Sequence, residues 1–202
     1  MGNSSLVRLG GFTAVLSGVL LIIGDLSYLF IDDEDFARAA ASGAYIVQAV
    51  VFLLAGVLLL IGLVGMYLHH SEAAGVLGLI GFLAALLGTS LVMGAFWSDL
   101  FVTPALAQEV PELLNAEEPP ALVDLGFTLS FSLFALGWLL FGLSVLRARI
   151  YPRAAAVLLI VGAALTFIPL PATGIVFSAA VIWLGFLTLT RGATATQSPR
   201  VA

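Results

Sequence analysis

Long apolar runs fill most of this chain and restrict the folds available to it more than any other feature. Six runs can be separated, at about 9–31, 44–68, 73–97, 121–146, 154–168 and 174–189. About 20 apolar residues cross a bilayer as a helix, and only 9% of the 202 residues are charged, against about 25% in soluble domains. The pattern predicts an all-α fold: a polytopic membrane helix bundle of six transmembrane helices, forming one integral membrane domain over residues 1–202.

An arginine cluster between the fourth and fifth runs sets the predicted orientation. Arg147, Arg149 and Arg153 lie close together there, and short loops rich in arginine face the cytoplasm. Six spans return the chain to its starting side, so the N and C termini are both expected to be cytoplasmic, with a disordered tail at 192–202. Only Arg38 among the basic residues then falls outside. The last two runs are short, and a re-entrant pair in place of two spans stays open, because it would return the tail to the same side.

The connection at 98–120 is predicted to be a long acidic outer loop between helices 3 and 4. It contains five acidic residues and no basic one. Thr103–Pro104 and Val110–Pro111 are typical of helix starts, because proline favours the first helical turn. We therefore expect one or two short amphipathic helices at the outer interface. The second and third runs are joined more tightly, and a turn is predicted at Ser71–Glu72.

Polar side chains within the spans gather in the predicted outer third. Asp25 lies six residues before Ile31, which is about 9 Å along a helix, and ionisable groups at such positions are functional candidates. The predicted ligand-binding residues are Asp25, Tyr28, Tyr45, Gln48, Asp99, Asp124 and Thr128. We expect a polar pocket that opens outward under the outer loop. In the alternative, Asp25 simply hydrogen-bonds Gln48 or Tyr28, while Asp99 and Asp124 are solvated helix ends.

The residue types present exclude several kinds of site. The chain has no cysteine, so disulfides, thiolate zinc sites and cysteine nucleophiles are excluded. His69 and His70 have only Glu72 nearby, too few ligands for a metal site. No metal or other cofactor is therefore expected. The net charge is −5 and no large basic patch is present, so nucleic acid is not an expected partner.

Small residues at a spacing of four predict close contacts between helices, where van der Waals packing holds membrane helices together. The pairs are Gly81 and Ala85, Ala84 and Gly88, Ala14 and Gly18, and Gly174 and Ser178. Such faces can also join two copies of a chain, so a homo-oligomer is one partner class. The segments 59–63 and 139–143 resemble each other and each precede a turn. Either common descent or biased membrane composition accounts for that similarity.

The distribution of polar groups ranks the function classes. Channels and proton pumps need polar groups across the whole membrane, whereas the predicted inner half is almost entirely aliphatic or small. A binding, accessory or structural membrane protein with a small outward-facing polar pocket is therefore favoured over an enzyme. An intramembrane enzyme that acts on a lipid or isoprenoid, using Asp25 with Asp99 or Asp124 as acids, is the first alternative. A small-solute transporter is the second. The expected partners are the lipid bilayer and a lipid or small hydrophobic ligand.

Three segments resemble those of uncharacterised bacterial multi-pass membrane proteins. They are 61–67, 104–107 and 141–149, which read IGLVGMY, PALA and FGLSVLRAR. The resemblance implies a six-span fold in the plasma (inner) membrane of a prokaryote. That group has no assigned activity, so the resemblance implies no functional residue.

Overall fold

The computed structural model describes residues 3–31, 35–116, 118–168 and 173–194, and every regular element in these ranges is helical. The helices are α1 (Asn3–Ser27, followed by a 3-10 turn at Tyr28–Phe30), α2 (Phe36–Ala40), α3 (Gly43–Phe101), α4 (Thr103–Glu109), α5 (Pro111–Leu114), α6 (Ala121–Ala148), α7 (Arg153–Leu165) and α8 (Thr173–Thr194). Four stretches are long and apolar enough to cross a membrane: Ser4–Phe30, Gly43–Glu109, Ala121–Ala148 and Thr173–Thr190. The all-α class and its membrane-compatible helices are therefore confirmed.

Helix α3 is a hairpin of two arms, because its backbone breaks at Gly75, where φ is 58° and ψ is −152°. Aromatic pairs join the arms, 43–74 and 76–101, at both ends. The rings of Phe52 and Phe96 stack with centroids 5.1 Å apart. Those of Tyr67 and Phe82 stack at 4.3 Å. The two runs predicted at 44–68 and 73–97 correspond to these arms, but the turn predicted at Ser71–Glu72 is wrong. Both residues are helical, and the chain reverses at the residue that tolerates a positive φ rather than at the polar pair.

Successive helices and arms run antiparallel, and α8 packs back against α1. The directions follow from close approaches at glycines. These are Gly10 to Gly65 and Gly24 to Phe52, Gly81 to Phe141 and Gly88 to Phe134, Gly142 to Ile160, Gly162 to Phe177, and Gly11 to Leu189 and Gly18 to Ile182. All four predicted small-residue pairs lie at contacts within the chain. Their faces are thus occupied by neighbouring helices of the same molecule.

The alternation of directions gives the bundle two chemically different ends. The arginine end contains the start of α1, the reversal at Gly75, the α6–α7 turn and the end of α8. Its described basic side chains are Arg8, Arg147, Arg149 and Arg153. The acidic end contains the end of α1, the helices α2, α4 and α5, and the start of α6. Its described acidic side chains include Asp35, Asp99, Glu109, Glu112, Glu118 and Asp124, and Arg38 also lies there.

Local signals place the short helices of the acidic end. The expected amphipathic helices begin at the predicted positions, α4 at Thr103 and α5 at Pro111. The five-residue helix α2 was not predicted. Asp35 caps it by accepting a hydrogen bond from the Arg38 amide at 3.0 Å, and the Asn115 amide donates to the same carboxylate oxygen at 3.0 Å. These two hydrogen bonds hold the pKa of Asp35 below its ordinary value and join α2 to the end of α5.

The last two helices differ in length from the predicted runs. Helix α7 has 13 residues, about 20 Å at 1.5 Å per residue, which is shorter than a hydrocarbon core of about 30 Å. Helix α8 continues to Thr194, so it overlaps the first residues of the predicted tail at 192–202. Pro169 and Pro171, which stand between the last two predicted runs, lie outside the described residues, as does the rest of the tail.

The core of the bundle is aromatic and centres on Trp138, which is fully buried. Its ring meets those of Phe141 and Phe177 edge-on, at 5.6 and 5.0 Å. Its indole N–H donates to the Thr89 hydroxyl at 3.0 Å, and that hydroxyl donates to the Ala85 carbonyl at 2.7 Å. A buried indole without an acceptor costs about 1–3 kcal/mol, so this short chain of hydrogen bonds fixes α6 against the second arm of α3.

Candidate functional site

A cavity of about 170 Å³ lies beside Asp25, among α1, both arms of α3, α6 and the α7–α8 pair. We call it the Asp25 cavity. Most of its described lining is apolar, and its aromatic members are Tyr28, Phe52, Phe96, Phe131, Phe134 and Phe177. Its polar side chains are Asp25, Tyr28, Thr89, Thr166 and Ser178, and no basic residue belongs to the described lining. Such a largely apolar cavity with a few polar groups is typical of small-molecule sites.

Asp25 reaches this cavity from α1 and lies against the first turn of α8. A Cβ at Gly174 would lie 2.5 Å from the Asp25 Oδ2 atom, so a larger residue here would displace the carboxylate from its present position. The amino end of a helix carries about half a positive elementary charge. The amino end of α8 therefore partly stabilises a negative charge on Asp25. The described lining contains no arginine or histidine that would neutralise this charge.

Gln48 supports this part of the cavity through the backbone of α1. Its Nε2 atom donates to the Gly24 carbonyl at 3.3 Å, and the side chain is buried. A Cβ at Gly24 would lie 2.7 Å from the Phe52 ring, so the glycine lets that ring pack against α1. Among the described residues Gln48 makes this hydrogen bond to the backbone and none to the Asp25 carboxylate, so the alternative that pairs Gln48 with Asp25 is not what the structure shows.

Asp99 belongs to a second group at the acidic end. Its carboxyl lies near the hydroxyls of Tyr45 and Thr103 and interacts with them electrostatically, and both of those residues are buried. The Tyr45 ring also meets Phe36 of α2 edge-on at 6.0 Å. These contacts tie the start of α3 to its end and to the start of α4, so their evident role is to position the acidic-end helices.

The outer loop covers Asp99 and not Asp25. A cavity of about 470 Å³ beside Asp99 is lined by α4, α5 and the chain that follows them, through residues that include Leu106, Leu113 and Pro119. None of the loop residues 98–120 belongs to the described lining of the Asp25 cavity. The expectation that this loop roofs the pocket beside Asp25 is therefore wrong, because α1 meets α8 there instead.

The remaining two predicted residues lie on the first part of α6. Residues 121–129 are all exposed, including Asp124 and Thr128. Thr128 lines a groove of about 350 Å³ with Phe127, Phe131, Ser132, Thr166 and Phe167. The seven predicted residues thus do not form one pocket. Asp25 and Tyr28 share the Asp25 cavity, Gln48 supports it, Tyr45 and Asp99 form the second group, and Asp124 and Thr128 lie on α6.

The groove beside Thr128 adjoins the Asp25 cavity. Phe131 and Thr166 line both spaces, and they come from α6 and from the residue that follows α7. The exposed first part of α6 forms one wall of this groove. The groove and the Asp25 cavity are therefore neighbours, separated by Phe131 and Thr166.

A polar network at the arginine end was missed by the sequence-based reasoning. His70 is 2% exposed, with its Nδ1 atom 2.7 Å from the Met66 carbonyl and its Nε2 atom 3.3 Å from the Ser144 hydroxyl. The Tyr151 hydroxyl lies 2.7 Å from that of Thr188. The predicted run ends at residue 68 before a turn at Ser71–Glu72, which would leave His70 at a helix end, whereas the first arm of α3 continues to the break at Gly75 and buries His70. The network joins α3, α6 and α8 and has a structural role.

Comparisons of the chain with protein-family models, with curated proteins and with solved structures find no match. The chemistry of the site must therefore be argued from its own residues. The three carboxylates considered as paired acids are dispersed: Asp25 lines its cavity, Asp99 lines the cavity under α4 and α5, and Asp124 is exposed on α6. A lone carboxylate in an apolar cavity is suited to holding a ligand more than to two-acid catalysis.

Proposed function

We propose that this protein is a membrane binding or accessory protein that holds a small hydrophobic or lipid-derived ligand in the Asp25 cavity. The observation that carries the proposal is the cavity itself, about 170 Å³ with walls that are mainly aromatic and aliphatic. An engineered apolar cavity of about 150 Å³ in another protein binds benzene, so the space suits a body of about that size. The adjoining groove is lined by Phe131 and Thr166, and a movement of these two side chains would let such a ligand enter from the bilayer.

The proposal includes six membrane passes with the arginine end in the cytoplasm of a prokaryote. The arginines of the described chain support it, because all except Arg38 belong to that end and basic residues are retained inside. The two arms of α3 count as separate passes. Helix α7 is short, but Gly174 at the start of α8 lies level with Asp25. The connection between α7 and α8 would therefore lie below the outer surface of the bilayer, at a depth that the short helix α7 can reach from the arginine end.

The test compares two tryptophan substitutions on α1 in the full chain reconstituted in lipid nanodiscs. Leu21 lines the Asp25 cavity, so Leu21→Trp fills it. Ile23 is 49% exposed on the outer face of the same helix, so Ile23→Trp adds an equal side chain outside the bundle. Fluorine NMR would measure binding of fluorinated neopentylbenzene, a neutral probe, against protein-free nanodiscs.

We expect saturable binding by the parent protein and by Ile23→Trp, and at least about tenfold weaker binding by Leu21→Trp, since lost apolar contacts of about 1.4 kcal/mol change affinity tenfold. Far-UV circular dichroism would verify that both variants keep the helical fold. Equal binding by Leu21→Trp and the parent protein would overturn the proposal, as would the absence of saturable binding above protein-free nanodiscs both for this probe and for its cationic counterpart, benzyltrimethylammonium.

A further inference from the structure

We infer that the ligand of the Asp25 cavity is an organic cation, an ammonium group on a small apolar body; this inference rests on the function proposed above. The first argument concerns charge. Asp25 is the only ionisable carboxyl in the described lining, which contains no arginine or histidine. A carboxylate removed from water is costly unless a partner compensates it. The amino end of α8 compensates only part of a full charge, and an ammonium group on the ligand would supply the rest.

The second argument is the aromatic composition of the walls. Tyr28 and Phe52 lie with ring centroids 6.0 Å apart, and Phe96 stacks on Phe52 at 5.1 Å. On the other side, Phe134 and Phe177 meet edge-on at 5.3 Å. Aromatic faces attract ammonium groups, most strongly where water is excluded, and aromatic cages are a common means of recognising quaternary ammonium ligands. The cavity combines such rings with a carboxylate.

Other ligand chemistries fit these residues less well. An anionic headgroup would face Asp25 with no cationic side chain in the described lining to receive it. Calcium and magnesium need several oxygen ligands, whereas one carboxylate and a few hydroxyls are dispersed around this cavity. A neutral ligand would fill the apolar volume and leave the carboxylate without a counter-charge. Of these ligand classes, the organic cation is the one that uses both the charge and the aromatic surface.

The volume limits the size of the cation. About 170 Å³ admits a body near the size of one aromatic ring, such as one ammonium headgroup or one ring, by comparison with the benzene-binding cavity of about 150 Å³. Any longer apolar chain would extend through the groove that shares Phe131 and Thr166 with the cavity. The ligand class is therefore a small aromatic ammonium, or an ammonium amphiphile whose chain lies between α6 and α7.

The experiment compares two probes of nearly equal shape and different charge. Fluorinated benzyltrimethylammonium is the cation, and fluorinated neopentylbenzene is its neutral counterpart, with carbon in place of nitrogen. Fluorine NMR titrations would use the full chain in nanodiscs of zwitterionic lipid, with protein-free nanodiscs as the blank. The variants are Asp25→Asn, which removes the cavity charge, and Asp124→Asn, which removes an exposed charge on α6 and serves as the matched control.

We expect the parent protein and Asp124→Asn to bind the cation at least about tenfold more tightly than the neutral probe, and Asp25→Asn to lose that preference. Retained binding of the neutral probe by Asp25→Asn would show that its cavity is intact. Equal or tighter binding of the neutral probe by the parent protein would overturn the inference and leave the cavity proposal standing. A cation preference that survives in Asp25→Asn would also overturn it. Absence of binding for both probes would refute the proposed function together with the inference.

Discussion

Gly75 is the residue on which the two-arm form of α3 depends. Its φ of 58° and ψ of −152° belong to a region that is open essentially only to glycine. Apart from its chain neighbours and the adjacent backbone of its own helix, no heavy atom lies within 4 Å of the position that a Cβ would take. A larger side chain would therefore meet free space, and its cost would come from the backbone conformation alone.

Replacement of Gly75 by alanine tests whether the backbone conformation, and not packing, makes glycine necessary at this position. We expect Gly75→Ala to lower the free energy of unfolding by about 1–3 kcal/mol, the usual cost of such a conformation, as measured by denaturant titration in mild detergent. Gly94→Ala is the matched control, because Gly94 lies in the second arm of the same helix with equally open surroundings and an ordinary φ. That change should be neutral or stabilising by up to about 1 kcal/mol. Equal effects of the two changes would contradict the role assigned to Gly75.

At the scale of elements, the second arm of α3 meets α6 at glycines on both sides. A Cβ at Gly88 would lie 2.5 Å from the backbone of Phe134, and a Cβ at Gly137 would lie 2.5 Å from the backbone between Ala84 and Ala85. Backbone atoms cannot rotate away as a flexible side chain can. The two helices are therefore at the closest separation that glycine permits, which suits membrane helices that associate through van der Waals contact.

Addition of one methyl group at this crossing should separate the helices. We expect Gly88→Ala to destabilise the protein by about 1–3 kcal/mol, the usual cost of overpacking, with a lower thermal unfolding midpoint. Gly126→Ala makes the same change in the exposed part of α6, where nothing lies within 4 Å, and should leave the midpoint unchanged or raise it. If Gly88→Ala unfolded at the same temperature as Gly126→Ala, the close crossing would be refuted.

Sequence reasoning succeeded for elements whose signals are local. The helix starts at Thr103 and Pro111 depend on prolines within the same turn, and the apolar runs mark the long helices by composition. The reversal at Gly75 was missed, because polarity at Ser71–Glu72 says nothing about which residue accepts a positive φ. The site was predicted only in part, since the contact of Asp25 with Gly174 joins the first and last long helices. That pairing is set by the whole bundle and has no local pattern.

At the scale of the whole molecule, the alternation of helix directions places some exposed residues at the acidic end and others at the arginine end. Labelling one residue at each end therefore measures the orientation of the protein in the membrane. The chain has no cysteine, so a single introduced thiol reports one position. Ala116 follows α5 at the acidic end and Ala73 precedes the reversal at the arginine end, and both are exposed. A membrane-impermeant maleimide should label Ala116→Cys in intact bacterial cells, whereas Ala73→Cys should react only after permeabilisation, because basic loops are retained inside and the proposed topology therefore places the arginine end in the cytoplasm. Labelling of Ala73→Cys in intact cells, with Ala116→Cys protected, would invert the molecule and place the acidic end and the nearby Asp25 cavity on the cytoplasmic side.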